Sequence, residues 1–318
     1  MKKLLALSLS VMMALSFAGC QNSSNPAASE MQEKSLSSVA ETSAVKDIYD
    51  FYAYENDDVF YIDKVDVKSS ELEAECVTYE FSFMSDGYPI KGYISIPVES
   101  IQTRKPCKCI LYNRGGHAGS GNLKGSEIAW VCAESKRIVI GCELRGNDGS
   151  GGYEQYGGDE VHDVIRLIDF CENEFPFVDM DDFCSMGGSR GGMTTYMAAR
   201  QDKRIKKIIS FSAISDMFMM YEAREDMRKY LPMFIGGTPE EKPEEYEKRS
   251  AVCWADELKI PVLLIHSRGD KVVPFAQAEK LYEKLKDITE CTFIIQDDDY
   301  HGLHEEDFPK VLEWLENT

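Results

Sequence analysis

Short apolar runs alternate along the chain with longer segments of mixed polarity. The runs are rich in Ile, Val, Leu and Cys, which is typical of buried strands, whereas the longer segments predict helices with one apolar face. Strands that alternate with helices predict an α/β fold, in which a mostly parallel sheet is covered on both faces. The predicted strands are 75–84, 90–97, 107–112, 137–142, 183–186, 207–211, 260–266 and 291–295, and the predicted helices are 127–135, 159–173, 193–199, 275–286 and 305–316.

Three segments depart from this alternation. Residues 47–66 are aromatic and acidic, and they predict a short helix followed by a strand, as an N-terminal β extension. The Ser-Asp-Gly turn at 85–87 joins the strands on either side of it into a hairpin. Residues 215–255 are rich in Met, Tyr, Glu and Arg and have no strand pattern, so they predict a helical insertion that covers the site.

Residues 1–19 resemble a bacterial lipoprotein signal peptide. Lys2 and Lys3 supply positive charge, residues 4–17 form an apolar stretch too short to span a membrane, and small residues precede Cys20. This pattern predicts cleavage before Cys20 and lipidation of that cysteine. An ordinary secretory signal with an incidental cysteine is the alternative.

The chain after the cleavage site divides into a tether and a folded domain. Residues 20–43 are rich in Ser, Ala, Asn and Glu with few large apolar residues, which predicts a flexible tether. Residues 44–318 then form the folded domain. We expect this domain to lie outside the cytoplasm, anchored to the bacterial cell membrane.

Charge and cysteine content narrow the possible partners. An acidic chain with a formal net charge of −20 has no bulk affinity for nucleic acid and gains nothing from an anionic membrane surface. The chain has ten cysteines, and those other than Cys20 lack regular spacing, so they predict buried free thiols rather than a disulfide framework. Cys107 and Cys109 are too close together for a zinc pair, and we expect neither a metal nor a cofactor.

The sequence Gly187-Gly188-Ser189-Arg190-Gly191 is a G-x-S-x-G motif. An apolar strand precedes it and an apolar helix follows it, which is the strand–turn–helix context of an activated serine. The glycines leave room for the sharp turn, and the backbone N–H of Arg190 points to where an oxyanion would form. Ser189 is therefore the candidate nucleophile.

A serine hydroxyl needs a base, and the base needs an acid that holds its tautomer. Of the five histidines, His301 is preferred over His304, because it follows the last predicted strand and stands directly before Gly302. The other three lie in an early loop, inside a helix and at a strand end, and they are His117, His162 and His266.

Asp270 is the preferred acid. It follows the penultimate predicted strand and precedes a helix, where its carboxylate can point across the strand ends toward His301. Asp216 is an alternative, and residues 297–299 form an acidic run that favours a solvated surface. The chain order Ser189, Asp270, His301, with each residue after a separate strand, is the order expected of an α/β-hydrolase fold.

A glycine-rich loop at 113–121 follows an earlier strand and predicts the second half of an oxyanion hole. Gly116 is the candidate donor there, because glycine lets a backbone N–H approach a substrate carbonyl closely. The loop lacks the following lysine and threonine of a phosphate-binding loop, and residues 146–158 lack G-x-G-x-x-G. A nucleotide site is therefore not expected.

Six motifs run in order over residues 85–318: SDGYPIKGYISIP (85–97), YNRGGH (112–117), LRGNDGSGGYEQYGGDEVHDV (144–164), GGSRGGM (187–193), HSRGDKVVP (266–274) and DYHGL (299–303). Together they resemble the catalytic domain of the prolyl oligopeptidase family of serine peptidases. The resemblance implies an α/β hydrolase that uses Ser189, Asp270 and His301 as its triad.

The chain also departs from that family. Its long peptidases carry a β-propeller before the hydrolase, and too few residues separate the tether from the first matching strand here. Some members place a tyrosine hydroxyl in the oxyanion hole, whereas Arg114 stands at that loop position and is a candidate substrate contact.

The sequence as a whole predicts a serine hydrolase that cleaves a peptide or oligopeptide through an acyl-enzyme. A carboxylesterase or acetyl esterase with the same triad stays open, and a non-catalytic ligand-binding lipoprotein is the third reading. The expected partners are a small peptide or ester substrate and, through the lipid on Cys20, the membrane.

Overall fold

The computed structural model describes residues 47–117 and 119–318, so the predicted signal peptide, Cys20 and the tether at 20–43 lie outside the described residues. Within the described ranges the chain forms one sheet of nine strands and ten α-helices. The strands are β1 (Val59–Lys64), β2 (Cys76–Ser85), β3 (Tyr88–Pro97), β4 (Cys107–Asn113), β5 (Ile138–Cys142), β6 (Val178–Gly188), β7 (Lys207–Phe211), β8 (Val262–Ser267) and β9 (Cys291–Gln296). The helices are α1 (Ser70–Glu75), α2 (Val98–Thr103), α3 (Gly125–Ser135), α4 (Glu160–Asn173), α5 (Arg190–Gln201), α6 (Met217–Ala223), α7 (Glu225–Ile235), α8 (Pro243–Lys248), α9 (Ala276–Leu285) and α10 (Phe308–Asn317).

The sheet confirms the predicted α/β fold. Its strand order is β1-β2-β3-β5-β4-β6-β7-β8-β9. The pairs β1–β2, β2–β3 and β3–β5 are antiparallel, and every pair from β5 through β9 is parallel. In a parallel sheet the carboxyl ends of the strands share one edge, so the loops that follow β4, β6, β7, β8 and β9 meet there.

Helices cover both faces of the sheet. Neighbouring residues of β4 point to opposite faces, so Leu111 belongs to one apolar cluster and Ile110 to the other. Helices α4, α5 and α9 pack on the first face, and α3 and α10 pack on the second. Burial on both faces explains why the central strands are continuous apolar runs rather than alternating ones.

The insertion at 215–255 is helical, as predicted. It contains α6, α7 and α8, followed by short 3₁₀ turns at Ala251–Cys253 and Ala255–Glu257. Buried side chains on all three helices join the first apolar cluster, and they include Met217, Met220, Met227, Leu231 and Tyr246.

Local details of several helices differ from the prediction. Helices α1 and α2 were not predicted, because six residues are too few to show a helical period. The last helix begins at Phe308 after a 3₁₀ turn rather than at residue 305. Pro309 favours the later start, since proline fits the first helical turn, whereas further inside a helix it removes a backbone hydrogen bond.

The start of α4 is held by the residue after its cap position. Asp159 stands at the cap position, but its side chain makes no capping hydrogen bond. The carboxylate of Glu160 instead accepts hydrogen bonds from the N–H groups of Gly157 at 2.7 Å and Gly158 at 3.0 Å. The glycine-rich segment before α4 is thereby held by a buried acid.

An ion network lies at the amino ends of the parallel strands. The Asp182 carboxylate on β6 contacts Lys108 of β4 at 3.0 Å, Lys207 of β7 at 2.9 Å and Arg137, just before β5, at 2.9 Å. Burial alone would raise the pKa of Asp182, but hydrogen bonds from these three cations lower it to about 2.

Replacing Asp182 with Asn should lower the free energy of unfolding at pH 7 by about 2 kcal/mol, since one unit of pKa difference between the folded and unfolded chain is worth about 1.4 kcal/mol. The folded pKa lies below that of the unfolded carboxyl, so this stabilisation is present above about pH 4 and is lost as the pH falls from 4 to 2. Urea unfolding between pH 7 and pH 3 measures it. The exposed neighbour provides a control, since Asp181→Asn should change stability by less than about 0.5 kcal/mol. A D182N deficit that stays constant on acidification would contradict the assignment.

Candidate active site

Ser189 stands on a strained turn between β6 and α5. Its backbone angles are φ 54° and ψ −124°, a region that residues with a side chain rarely occupy. The Ser189 N–H donates to the Phe211 carbonyl at 3.0 Å, and the Ser189 carbonyl accepts from Gly192 at 3.2 Å and Ile214 at 3.1 Å. These bonds hold the turn above the ends of β6 and β7.

The two outer glycines of the motif are required by packing. A Cβ on Gly191 would lie 2.1 Å from the Asn113 carbonyl oxygen, and one on Gly187 would lie 2.5 Å from the Gly191 carbonyl oxygen. Contacts this short with backbone atoms leave no room for a side chain. The start of α5 can therefore approach β4 and β6 closely enough to form the sharp turn.

His301 and Asp270 meet at the same edge of the sheet. Asp270 follows β8, His301 follows β9, and the His301 Nδ1 lies 2.8 Å from the Asp270 Oδ2. The loops that carry them are joined by a hydrogen bond from the Gly269 N–H to the Asp298 carbonyl at 2.7 Å. The Gly302 N–H also donates to the Ser212 hydroxyl at 3.0 Å, which ties the histidine turn to the end of β7.

The Asp270 carboxylate is buried, and both of its oxygens accept hydrogen bonds. Its Oδ1 accepts hydrogen bonds from the N–H groups of Val272 at 2.8 Å and Val273 at 3.0 Å. The ring of His266, which is buried at the end of β8, places its Nε2 3.3 Å from Oδ2 and 2.9 Å from the Val273 carbonyl. Burial alone would raise the pKa of Asp270, but the hydrogen bonds from His266, His301 and Val273 hold it well below its usual range. Asp270 is therefore a charged, oriented acceptor for the His301 ring.

The rival residues have other partners. His304 lies 2.6 Å from Asp298 on the surface, and Asp216 caps α6 and pairs with Lys280 at 2.5 Å. The acidic run at 297–299 is solvated, as predicted, and its members pair with Arg268, His304 and Lys271.

The loop after β4 contacts the serine turn. A Cβ on Gly115 would lie 3.5 Å from the Ser189 Cβ, so the loop backbone passes directly beside the serine. Gly116 follows with φ +71°, and it lines a cleft together with Ser189. The Arg190 N–H opens α5, where the first N–H groups have no acceptor within the helix.

The expectation that Arg114 contacts substrate is corrected by the structure. Its side chain is 1% exposed and turns inward, and its Nε lies 3.0 Å from a carboxylate oxygen of Glu143 and donates to the Gly121 carbonyl at 3.0 Å. The same guanidinium donates to Asn122 at 3.2 Å and to the Ser120 carbonyl. A buried guanidinium needs such acceptors, and here it shapes its own loop from beneath.

Ser189 and His301 open onto one cleft of about 910 Å³. Part of its lining comes from the insertion, through Met220, Arg224 and Met227. Sequence reasoning expected the insertion at the site but did not identify these side chains. It also missed Tyr156, although this tyrosine lies in the glycine-rich motif before α4, where aromatic residues among glycines were a visible signal.

No group of His, Cys, Asp and Glu within residues 47–117 and 119–318 is arranged to hold a metal ion. Over the same ranges, no helix is both long and apolar enough to cross a bilayer.

Comparison with protein families identifies a family for the chain that carries this site. The model of the prolyl oligopeptidase family matches residues 124–317. The chain belongs to the prolyl oligopeptidase family. It is 31% identical over 211 residues to YtmA of Bacillus subtilis, named an uncharacterised peptidase, and the match covers 66% of this chain and 80% of that protein.

Solved structures agree with the family. The acylaminoacyl peptidase of Pyrococcus horikoshii is 26% identical with a TM-score of 0.62, and the match covers 72% of this chain and 38% of that one. The acetyl xylan esterase of Paenibacillus sp. R4 is 18% identical with a TM-score of 0.64, covering 81% of this chain and 88% of that one, which shows a shared fold. Family and fold together make this chain a serine hydrolase of the α/β-hydrolase class.

The backbone strain at Ser189 is expected to lower the free energy of unfolding. Both Ser189→Gly and Ser189→Ala remove the hydroxyl, but only glycine removes the Cβ that makes φ 54° costly. We expect the glycine variant to be more stable by about 1 kcal/mol, since relief of about 1–3 kcal/mol of strain exceeds the entropic cost of glycine. Urea denaturation measures the difference. At the exposed Ser126 in α3 the same pair of variants should show the opposite order. A Ser189→Gly variant no more stable than Ser189→Ala would show that the turn is not strained.

Proposed function

We propose that Ser189, Asp270 and His301 are the catalytic triad of this family member, and that it cleaves acyl bonds of peptides or oligopeptides. One observation carries the proposal: a buried carboxylate lies 2.8 Å from the ring of His301, and that histidine shares its cleft with a serine held on a strained turn. Each residue comes from a different strand end.

The chemistry follows from the positions of the ring nitrogens. Asp270 accepts the Nδ1–H of His301, which leaves Nε2 free to take the proton of the Ser189 hydroxyl as Oγ attacks the substrate carbonyl. The protonated His301 then gives that proton to the leaving amine or alcohol. Water, activated by the same ring, hydrolyses the acyl-enzyme and restores Ser189.

The developing oxyanion needs donors that are already in place. We assign this role to the N–H groups of Arg190, the first residue of α5, and of Gly116, which lines the cleft from the loop after β4. Each such donor lowers the barrier by about 3 kcal/mol in acyl-transfer enzymes.

A fluorophosphonate probe tests the triad directly. It should label the purified domain at Ser189, and labelling should be lost in Ser189→Ala. His301→Ala and Asp270→Asn should reduce hydrolysis of p-nitrophenyl acetate by about 10³-fold or more. The matched control is His304→Ala, because His304 is on the same loop but pairs with Asp298, and it should keep activity within about threefold. A folded Ser189→Ala protein with full activity would refute the proposal.

Peptide substrates are supported by the names of the relatives, which include peptidases of Bacillus subtilis and of Pyrococcus horikoshii. An ester is the second candidate substrate. The same triad reaction cleaves esters, and the cleft has little acidic surface that could bind the amino group of a peptide. Among the described lining residues the carboxylate is Glu127, and it already accepts a hydrogen bond from the Tyr112 hydroxyl at 2.6 Å.

Paired substrates separate the two candidates. The peptidase proposal predicts hydrolysis of aminoacyl or prolyl p-nitroanilides alongside p-nitrophenyl esters, since amide cleavage requires His301 to protonate a poor leaving group. Rates of Ser189→Ala provide the background. Turnover of esters with no amide hydrolysis above that background would assign the protein to the esterases.

We further propose that the mature chain begins at Cys20 and is held at the bacterial membrane by a lipid on that cysteine. Support comes from the charged, apolar and small-residue pattern of residues 2–20. Expressed in full, the protein should partition into Triton X-114, and Cys20→Ser should move it to the aqueous phase. Cys253→Ser, at an exposed thiol of the folded domain, should not. An unchanged detergent fraction in Cys20→Ser would exclude the anchor.

A further inference from the structure

Arg190, the residue after the proposed nucleophile, has a buried charged side chain. The guanidinium of Arg190 is 1% exposed and turns back under the loop that follows β4. It donates to the Gly116 carbonyl at 3.1 Å and to the Glu160 carboxylate at 2.6 Å, and it also pairs with Glu154. The ring of Tyr156 lies 4.8 Å from the guanidinium carbon, a cation–π distance.

These partners come from three separate segments. Gly116 is on the loop after β4, Glu154 is on the loop between β5 and α4, and Glu160 opens α4. Two carboxylates offset the cost of burying one guanidinium, and the planar fork lets it reach several acceptors at once. Arg190 therefore links the serine turn to the loop after β4 and to the segment that leads into α4.

The loop after β4 has little stiffness of its own. Gly116, Gly119 and Gly121 all have positive φ angles, at +71°, +79° and +66°, and glycine has the most backbone freedom to lose. Arg114 supports this loop from within. Arg190 holds it from α5, the helix whose first N–H stands beside Ser189.

We propose that the Arg190 side chain is a positioning residue that fixes the distance between the two oxyanion donors. By holding the Gly116 carbonyl, it sets the backbone of Gly116 relative to its own N–H, so that both N–H groups meet the same substrate oxygen. The inference rests on the proposed triad. It assigns a role to a side chain outside the triad that does not touch the substrate.

A purely structural ion pair and a positioning residue have different kinetic consequences. Loss of a structural pair lowers thermal stability, and loss of oxyanion alignment lowers kcat while leaving KM nearly unchanged, because the oxyanion exists only in the transition state. Phenylboronic acid gives a second readout, since it forms a tetrahedral adduct on a catalytic serine.

The key variant is Arg190→Lys, which keeps the charge and loses the fork. With p-nitrophenyl acetate we expect kcat to fall about 100-fold, KM to change less than about threefold, and the affinity for phenylboronic acid to fall about as much as kcat. The matched control is Arg200→Lys on the same helix, where the arginine pairs with Glu257 at 2.7 Å and not with the loop after β4. That control should keep all three values within about twofold.

Glu154→Gln tests the same junction with a smaller disturbance, in case Arg190→Lys does not fold. It leaves Arg190 an oxygen acceptor but removes a charge, so kcat and boronate affinity should fall together by about 3- to 10-fold, with the native circular dichroism spectrum retained. If either folded variant keeps kcat and boronate affinity within twofold, or loses only thermal stability or KM, the inference is wrong. Ser189→Ala separates the two levels: if it keeps activity, the triad itself is wrong, whereas an inactive Ser189→Ala beside a fully active Arg190→Lys overturns only the positioning role.

Discussion

The hydrogen bond between Asp270 and His301 depends on the register of the sheet. The two residues stand on loops that leave β8 and β9, and these strands are parallel neighbours in which His266 pairs with Ile295. Their loops therefore emerge side by side, and the Gly269–Asp298 hydrogen bond holds them together. A carboxylate that already receives two backbone N–H groups cannot rotate, so the imidazole is offered one orientation.

Buried charge is placed at both ends of the same strands, with different consequences. At the amino ends, Asp182 forms salt bridges with cations from neighbouring strands, which we expect to stabilise the fold. At the carboxyl ends, Arg114 and Arg190 lie beneath a glycine-rich loop, each paired with buried glutamates. Ions are retained in so dry a setting only when they are paired, and here the pairing gives rigidity to a loop whose own glycines supply none.

The insertion is connected to the acid loop as well as to the cleft. Arg224, between α6 and α7, pairs with Asp226 and donates to the Val272 carbonyl at 3.2 Å, two residues after Asp270. Met220 and Met227 from the same helices line the cleft. The segment that shapes the substrate space is thus bonded to the segment that orients the histidine, and changes in one are expected to reach the other.

The amino-acid sequence alone determined the order of strands and helices, the turn at Ser189 and the choice of His301 and Asp270 for the site, because these depend on period, on glycine at a sharp turn and on position after a strand. Tertiary structure decided what the side chains of Arg114 and Arg190 do. Arg114 stands in a glycine-rich loop and Arg190 opens α5 among glycines, and the side chains of both are buried. Their acceptors are carboxylates and carbonyls from segments distant along the chain, and only packing of those loops against one another brings a buried cation its partners.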